Sequence, residues 1–428
     1  MNKRKVVVTG LGMATSLGLD VETSWQKALA GTTGIKKISY PETSKSAIQA
    51  VGEVNDKDWE QIQSKFKGEA AAEGERRTLF ALWAAGAALE DAGFRTAPDK
   101  GYRFGITVAA GLGINRPEDM STWITADRTF DYKKFGREYA RLHRESIARN
   151  NSNRPAALIA HNYNFHGYNS TITTACASAS QAIGTAFRAI RRGDADVMVT
   201  GGADSMINPV GLVFFVLLGA AATSRENPEE ACRPFDRKRS GLVMGEGAGI
   251  AVLEEECHAL KRGARIYAEV AGYGSTMDAH QVTAPHPKGV GAEGSMRSVL
   301  SDADMVGEDI DYINAHGTST KLNDAAETLA IKNIFREHAA NICINSSKSL
   351  IGHLLAASGG PEFVFTTLTV NRDEIHPTMN LNNRDPKCDL DYVPNVKREK
   401  RVRAAITNSF GFGGQNASIV VKKYVRES

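Results

Sequence analysis

The chain has 428 residues, 42% hydrophobic and 24% charged, which excludes a mostly disordered protein and leaves room for two or three domain-sized units. Its 52 Lys and Arg against 49 Asp and Glu give a net charge of +3, too weak for a general nucleic-acid binder. Glycine is the outlier: 40 residues, about 9% against a usual ~7%, with no G-X-Y period, so these residues serve turns and close backbone approaches rather than a collagen helix.

In chain order, Lys5–Thr9 reads as a buried strand that runs into Gly10-Leu11-Gly12, with no secretory h-region around it. Asp20–Ala30 and the Ala-rich Arg76–Gly93 read as helices. Phe104–Ala109 is the next strand, and this alternation predicts a parallel or mixed α/β sheet. Residues 116–154 break the pattern. Between Asp131 and Arg154 there are seven Lys or Arg and three acids, a local charge of 7 − 3 = +4, expected as a polar, water-facing helical insertion. Ser170–Ala175 is a strand leading to Cys176, Ser178–Arg192 a helix, and DADVMVTGGADS a strand that ends in Gly-Gly. The longest apolar stretch, Val210–Ala222, falls short of the ~20 residues that span a bilayer. A Gly-rich turn and strand follow at Met244–Glu254, and a polar passage near 256–266 marks a boundary between two halves. The second half repeats the style of the first: a strand at Ile310–Ala315, a helix at Ala325–Phe335, a strand at Asn341–Asn345, a turn into a helix at SSKSLIGHLLAASGG, and two closing strands at Arg403–Asn408 and Ala417–Lys422.

The chemistry-bearing residues sit at the junctions. Cys176 lies between a β-rich run and a small-residue helix, where the helix N-terminus favours a thiolate and its N–H groups can hold an oxyanion. Position alone leaves it either a nucleophile or a buried structural cysteine. The other four cysteines (232, 257, 343, 388) have no such setting and no CxxC, so a reducing, cytoplasmic compartment is expected. His316, in NAHGTST, and His353, in KSLIGHLL, each sit beside a glycine at a strand-to-turn junction. Two imidazoles near a thiol can bind zinc, donate to a carbonyl oxygen or exchange protons. No fourth ligand or zinc spacing is present, and no metal is expected. The loop NSFGFGGQN (408–416) lacks the pattern of a phosphate-binding loop.

Taken in order, TACASAS, GGADSM, PFDRKRSGLVMGEGAG, NAHGTSTKLNDAAE, KSLIGHLLAASGG and NSFGFGGQN resemble the signature blocks of the decarboxylating, Cys-His-His β-ketoacyl-acyl-carrier-protein synthases, with similarity from Val6 to Val421. The resemblance implies a thiolase fold, α-β-α-β-α in five layers, built from two similar halves (1–258 and 259–428) and working as a homodimer, with a heterodimer as the variant. It implies condensation of an acyl-Cys176 with malonyl-acyl carrier protein, in fatty-acid or specialised acyl and polyketide biosynthesis. Acyl carrier protein is the implied partner, with its phosphopantetheine carrying the substrates and no other cofactor, nucleic acid or membrane insertion. By similarity, the N–H groups of Cys176 and Phe412 form the oxyanion hole, and His316 and His353 stabilise the enolate. Lys348 orients that network, Asp324 and Glu327 hold Lys348, and Glu362 supports it. Thr318 and Thr320 meet the pantetheine arm, Phe412 gates the site, and Phe215 and Ile114 line the acyl pocket.

Three departures from the family pattern set further expectations. RESIARNNSNRPAALIAHNYNFHGYN replaces the usual apolar segment before the cysteine, its arginines facing water or binding a polar or acidic acyl group. The helix LVFFVLLGAAATS carries no basic residue, leaving carrier docking to Arg191, Arg192 or Lys261. GGPE at 359–362 puts Pro361 where a helix must begin if it is to be tolerated. Together they point to a specialised synthase. A non-catalytic chain-length-factor-like partner and a thiolase are the competing readings; the first loses the cysteine, and the second carries another in the C-terminal glycine loop.

Overall fold

The computed structural model describes residues 4–39, 47–68, 74–95, 101–113, 117–142, 144–223 and 227–426. Its centre is a ten-stranded sheet. The first half contributes β1 (Val6–Ala14), β2 (Phe104–Ala110), β3 (Asn169–Ile172), β4 (Val197–Asp204) and β5 (Gly247–Glu255). The second contributes β6 (Ala268–Met277), β7 (Tyr312–Asn314), β8 (Cys343–Asn345), β9 (Ala404–Phe410) and β10 (Gln415–Lys422). Spatial order runs β8-β7-β9-β10-β6-β1-β5-β4-β2-β3. Counted within each half, both read third, second, fourth, fifth, first. In both, the first–fifth and fifth–fourth pairs are antiparallel and the fourth–second and second–third pairs parallel. Among the described residues, the strands of the two halves pair where Val6–Val8 of β1 meets Ala268–Val270 of β6.

Helices complete the layers. α1 (Val21–Leu29) is capped by the Asp20 side chain, which accepts the Thr23 N–H. α2 (Arg76–Asp91) packs on the outer face of β1, β4 and β5 through Leu79, Ala81, Ala84, Ala85 and Ala88. Its Ala face needs a bare backbone opposite: a Cβ on Gly12 would stand 2.0 Å from Ala84 O. α3 (Ser178–Arg192) ends at Gly193 in the left-handed region, φ 86°. α3 and α7 (Gly359–Arg372) touch strands of both halves, so the two halves of the sheet face each other across this central helical layer. Gly249 of β5 lets α7 approach, since its Cβ would meet Pro361 N at 2.2 Å. α4 (Pro209–Leu217) lies beside the central layer. α5 (Val290–Asp302) covers β6 and β10, and α6 (Lys321–Phe335) packs on α5. Five layers result, α-β-α-β-α, the architecture the resemblance implied.

Three sequence expectations are settled by packing. Pro361 stands in the first turn of α7, where its missing N–H has no intrahelical acceptor to lose. The 116–154 region is helical, at Tyr132–Glu138 and Arg144–Asn150, but its arginines do not all face water. Arg149 is 4% exposed and ion-paired with Asp119, because burying a guanidinium requires a charge partner. Val210–Ala222 is the α4 region, and no helix among the described residues is long and apolar enough to cross a membrane.

Candidate active site

Cys176 follows β3 at the start of α3, and Lys348 and His353 follow β8 just ahead of α7, so equivalent connections of the two halves converge. His316 follows β7, and Phe412 lies in the turn between β9 and β10. The N-termini of the central helices meet here: a Cβ on Gly359 would lie 2.3 Å from Ser180 Oγ. Cys176, His316 and His353 are buried, with their ligand-type atoms within 4.8 Å of one another and the two rings edge-on at 5.4 Å.

Hydrogen bonds fix which ring nitrogens face the centre. His353 Nδ1 accepts the Leu355 N–H (3.1 Å) and lies 2.6 Å from Ser358 Oγ. Its proton therefore sits on Nε2, which is buried without a partner. His316 Nδ1 lies 3.4 Å from Lys348 Nζ, a donor-only group, so its proton is again on Nε2. Burial, with Lys348 second, holds both imidazoles well below their ordinary pKa, hence neutral. A pair of N–H donors beside a thiol suits a carbonyl or enolate oxygen, whereas a cation needs the lone pairs those protons occupy.

The supporting charges differ from expectation. Asp324 and Glu327 do not hold Lys348. Lys348 Nζ donates to His316 O (2.6 Å) and is ion-paired with Glu362 of α7, both side chains 1% exposed. Glu327 instead accepts the His316 and Gly317 N–H groups (2.8 and 2.9 Å), fixing the turn that presents His316. Asp324 accepts the Phe235 N–H (2.8 Å) and faces Arg239 at 3.5 Å. Burial raises the Glu327 and Glu362 carboxyls to about 7, with the two N–H groups opposing at Glu327 and Lys348 at Glu362. The thiolate expectation is also corrected. Burial pushes the Cys176 thiol up to about 11, outweighing the Phe412 N–H and Lys348, so the resting nucleophile is a thiol.

Two cavities meet at Cys176 and Phe412. One, of about 320 Å³, is lined by His316, His353, Thr318, Thr320, Asp278 and Asn416. The other, of about 560 Å³, is lined by Phe214, Phe215, Leu217, Leu355, Met206 and Asp204. Phe412, half-buried, stands between them. Phe215 is buried in the second; Ile114 lies outside the described residues. α4 forms part of that cavity's wall while Val213 and Leu217 stay 54% and 79% exposed. Arg191 and Arg192 are not at this opening. They end α3, about 21 Å along the helix from its start just beyond Cys176, and pair with Asp302 and Asp194. Sequence reasoning missed Ser358 and Asp204, whose partners become visible only after the turn beyond His353 has folded.

Comparisons with known proteins agree. A family profile described as "Beta-ketoacyl synthase, N-terminal domain" matches residues 3–259, and "Beta-ketoacyl synthase, C-terminal domain" matches 267–382. A 3-oxoacyl-[acyl-carrier-protein] synthase 2 from Synechocystis sp. is 40% identical over 425 residues, 99% of each chain. One from Staphylococcus aureus is 38% identical over 423 residues, again 99% of each. Among solved structures, a chain of a type II polyketide ketosynthase complexed with its acyl carrier protein and bound to a hexaketide superimposes with TM-score 0.88 at 33% identity, covering 99% of this chain and 100% of that one. The ishigamide ketosynthase/chain length factor gives 0.85 at 32%, with the same coverage.

Proposed function

Because the chain belongs to the β-ketoacyl synthase family, we propose that Cys176, His316, His353 and Lys348 carry its condensation reaction in the roles their geometry allows. The protein is a C–C bond-forming acyltransferase: it condenses an acyl-enzyme thioester with a malonyl thioester, releasing CO₂. The non-catalytic chain-length-factor reading is not favoured.

The Cys176 sulfur attacks the incoming thioester carbonyl, and the tetrahedral oxyanion lies at the N–H groups of Cys176 and Phe412. The carrier thiol leaves with the proton that the cysteine loses. The malonyl thioester then occupies the smaller cavity, its carbonyl oxygen between the two Nε2–H groups. The C–CO₂⁻ bond breaks, its electron pair becomes an enolate held by those donors, and the carbon attacks the acyl carbonyl. Collapse of the second oxyanion expels the Cys176 sulfur as a thiolate, which takes a proton from solvent to return to the resting thiol, and gives a β-ketoacyl thioester two carbons longer. The single observation behind these roles is two neutral imidazoles with inward N–H groups beside a thiol where two cavities meet.

Substrates arrive on the phosphopantetheine of an acyl carrier protein, with Thr318 and Thr320 along its path, and no further cofactor takes part. Incubation with a panel of acyl carrier proteins, then malonyl-carrier, tests this reading: Cys176 is expected to gain one acyl mass and then lose it to a product two carbons longer. Acyl mass on another residue overturns the assignment.

We place the boundary between halves at 258/259, supported by the strand order that restarts at β6. The chain pairs with a second copy across β3. That edge strand is half-exposed and, among the described residues, pairs with β2 alone, whereas the opposite edge, β8, is buried and its Ile344 N–H is taken by Asp391 O. The Ile106 N–H bonds Tyr168 O, so the parallel register turns Ser170 and Ile172 toward β2 and leaves the Thr171 N–H outward. Thr171→Pro is therefore expected to turn a two-chain mass by light scattering into a one-chain mass. A native chain that runs alone overturns the homodimer.

A further inference from the structure

We propose that Asp204 is a positioning residue for the condensation: its carboxylate holds the turn that presents His353 as an Nε2–H donor. This rests on the reading of His353 above and names the residue that keeps it in place.

Asp204 ends β4, 2% exposed, and the reaction steps above make no use of it. Its Oδ1 accepts the Ser205 N–H (2.8 Å) and its Oδ2 the Ala356 N–H (3.0 Å). Ala356 belongs to the 3-10 turn Leu355–Ala357, two residues beyond His353. Leu355 has φ 52°, a left-handed conformation that a branched side chain adopts only when its surroundings hold it there. Two consecutive N–H groups then have separate tasks. That of Leu355 ends on His353 Nδ1 and fixes the tautomer; that of Ala356 ends on Asp204 and fixes the peptide between them. Without the second bond, the Leu355–Ala356 peptide loses the side chain that holds its N–H in this strained orientation, and the first bond loosens with it.

The carboxylate is itself wedged. It packs against Gly111, where a Cβ would meet both carboxylate oxygens at 2.4 Å. The fully buried Arg77 donates to Gly111 O (2.8 Å) and Leu112 O (3.1 Å) and supplies the opposing charge. Burial still raises Asp204 to about 6, so at pH 7.5 it is mostly ionised and both oxygens accept. An amide cannot replace it. Asp204→Asn would present an NH₂ to one of two N–H donors, leaving one unpaired.

The test separates two partial reactions. In Asp204→Asn, acyl transfer to Cys176, read by intact mass at pH 7.5, is the reference step: Asp204 also lines the larger cavity, so a loss is expected there, but a smaller one than in decarboxylation. Malonyl decarboxylation, read as CO₂ release, is expected to fall about tenfold or more, as for loss of one hydrogen bond to a charged acceptor. Asp204→Glu, which restores a carboxylate, is expected to recover part of that loss. If Asp204→Asn does not accumulate as folded protein, Asp204→Ser, which relieves crowding at Gly111, takes its place with the same expected split. Equal losses in both steps, as general loosening would give, or no loss in decarboxylation, overturns the proposal. His353→Ala, run alongside, separates the two readings: if it decarboxylates normally, the role of His353 fails whatever Asp204 does.

Discussion

Cys176→Ser protein will fold as the native chain does and form no acyl-enzyme. Overall condensation is expected to fall by at least about 10³-fold, because the hydroxyl is a far weaker nucleophile than a thiol at the same site. The substitution removes a polarisable sulfur but keeps size and hydrogen-bonding capacity, so the melting temperature is expected to shift little. The native thiol offers a second check. Burial raises it to about 11, so the thiolate fraction climbs about tenfold per pH unit below that value. Alkylation of Cys176 by a neutral haloacetamide is therefore expected to rise from pH 7 through pH 9 without a plateau, followed by peptide mapping. Cys232 is an internal control. It is buried, raised to about 12, and lines neither of the two cavities described. Labelling of Cys232 in preference to Cys176 would sink the assignment of the nucleophile.

His353→Ala is expected to lose about 10² to 10³ in malonyl decarboxylation, the usual effect of removing one donor from a developing oxyanion. Acyl transfer should change by no more than a few-fold, since the oxyanion of that step is proposed to lie at the Cys176 and Phe412 N–H groups. CO₂ release and the intact mass of the acyl-enzyme measure the two steps separately. A variant that condenses at the native rate removes His353 from the mechanism. The neutrality of both rings sharpens the expectation. Burial and Lys348 keep them uncharged well below pH 6.5, so the donors stay N–H groups of neutral imidazole, and a change in decarboxylation between pH 6.5 and 8 is expected to follow Glu327 and Glu362, raised to about 7, rather than the rings.

Much of the frame was legible in the residues. Ser178–Arg192 is a helix with the bounds its Ala/Ser pattern and Gly193 announce, because small side chains favour the helix and glycine accepts the left-handed cap. The strand Ala268–Met277 carries no clear alternation, since Gly272 and Gly274 accept the close approach of α5, where Cβ atoms would stand 2.8 Å from Val299 O and 2.2 Å from Ser295 O. The strand Tyr312–Asn314 lies inside the run Ile310–Ala315 that the sequence marks, but its ends come from its neighbours in the sheet.

By itself the sequence determined the two-part α/β plan, the junctions that carry Cys176, His316, Lys348 and His353, and the family whose blocks they form. Those are properties of local pattern: β-branched runs, small-residue helices, glycine where the backbone must turn. Only the tertiary structure decided that Lys348 pairs with Glu362 rather than Asp324 or Glu327, that Arg149 is buried against Asp119, that Cys176 rests as a thiol, and that both imidazoles turn an N–H inward. Each of these depends on desolvation and on partners brought together from distant parts of the chain, such as the Asp204 carboxylate and the Ala356 N–H, 152 residues apart. Neither burial nor such pairing exists until the sheet has closed around its central helices.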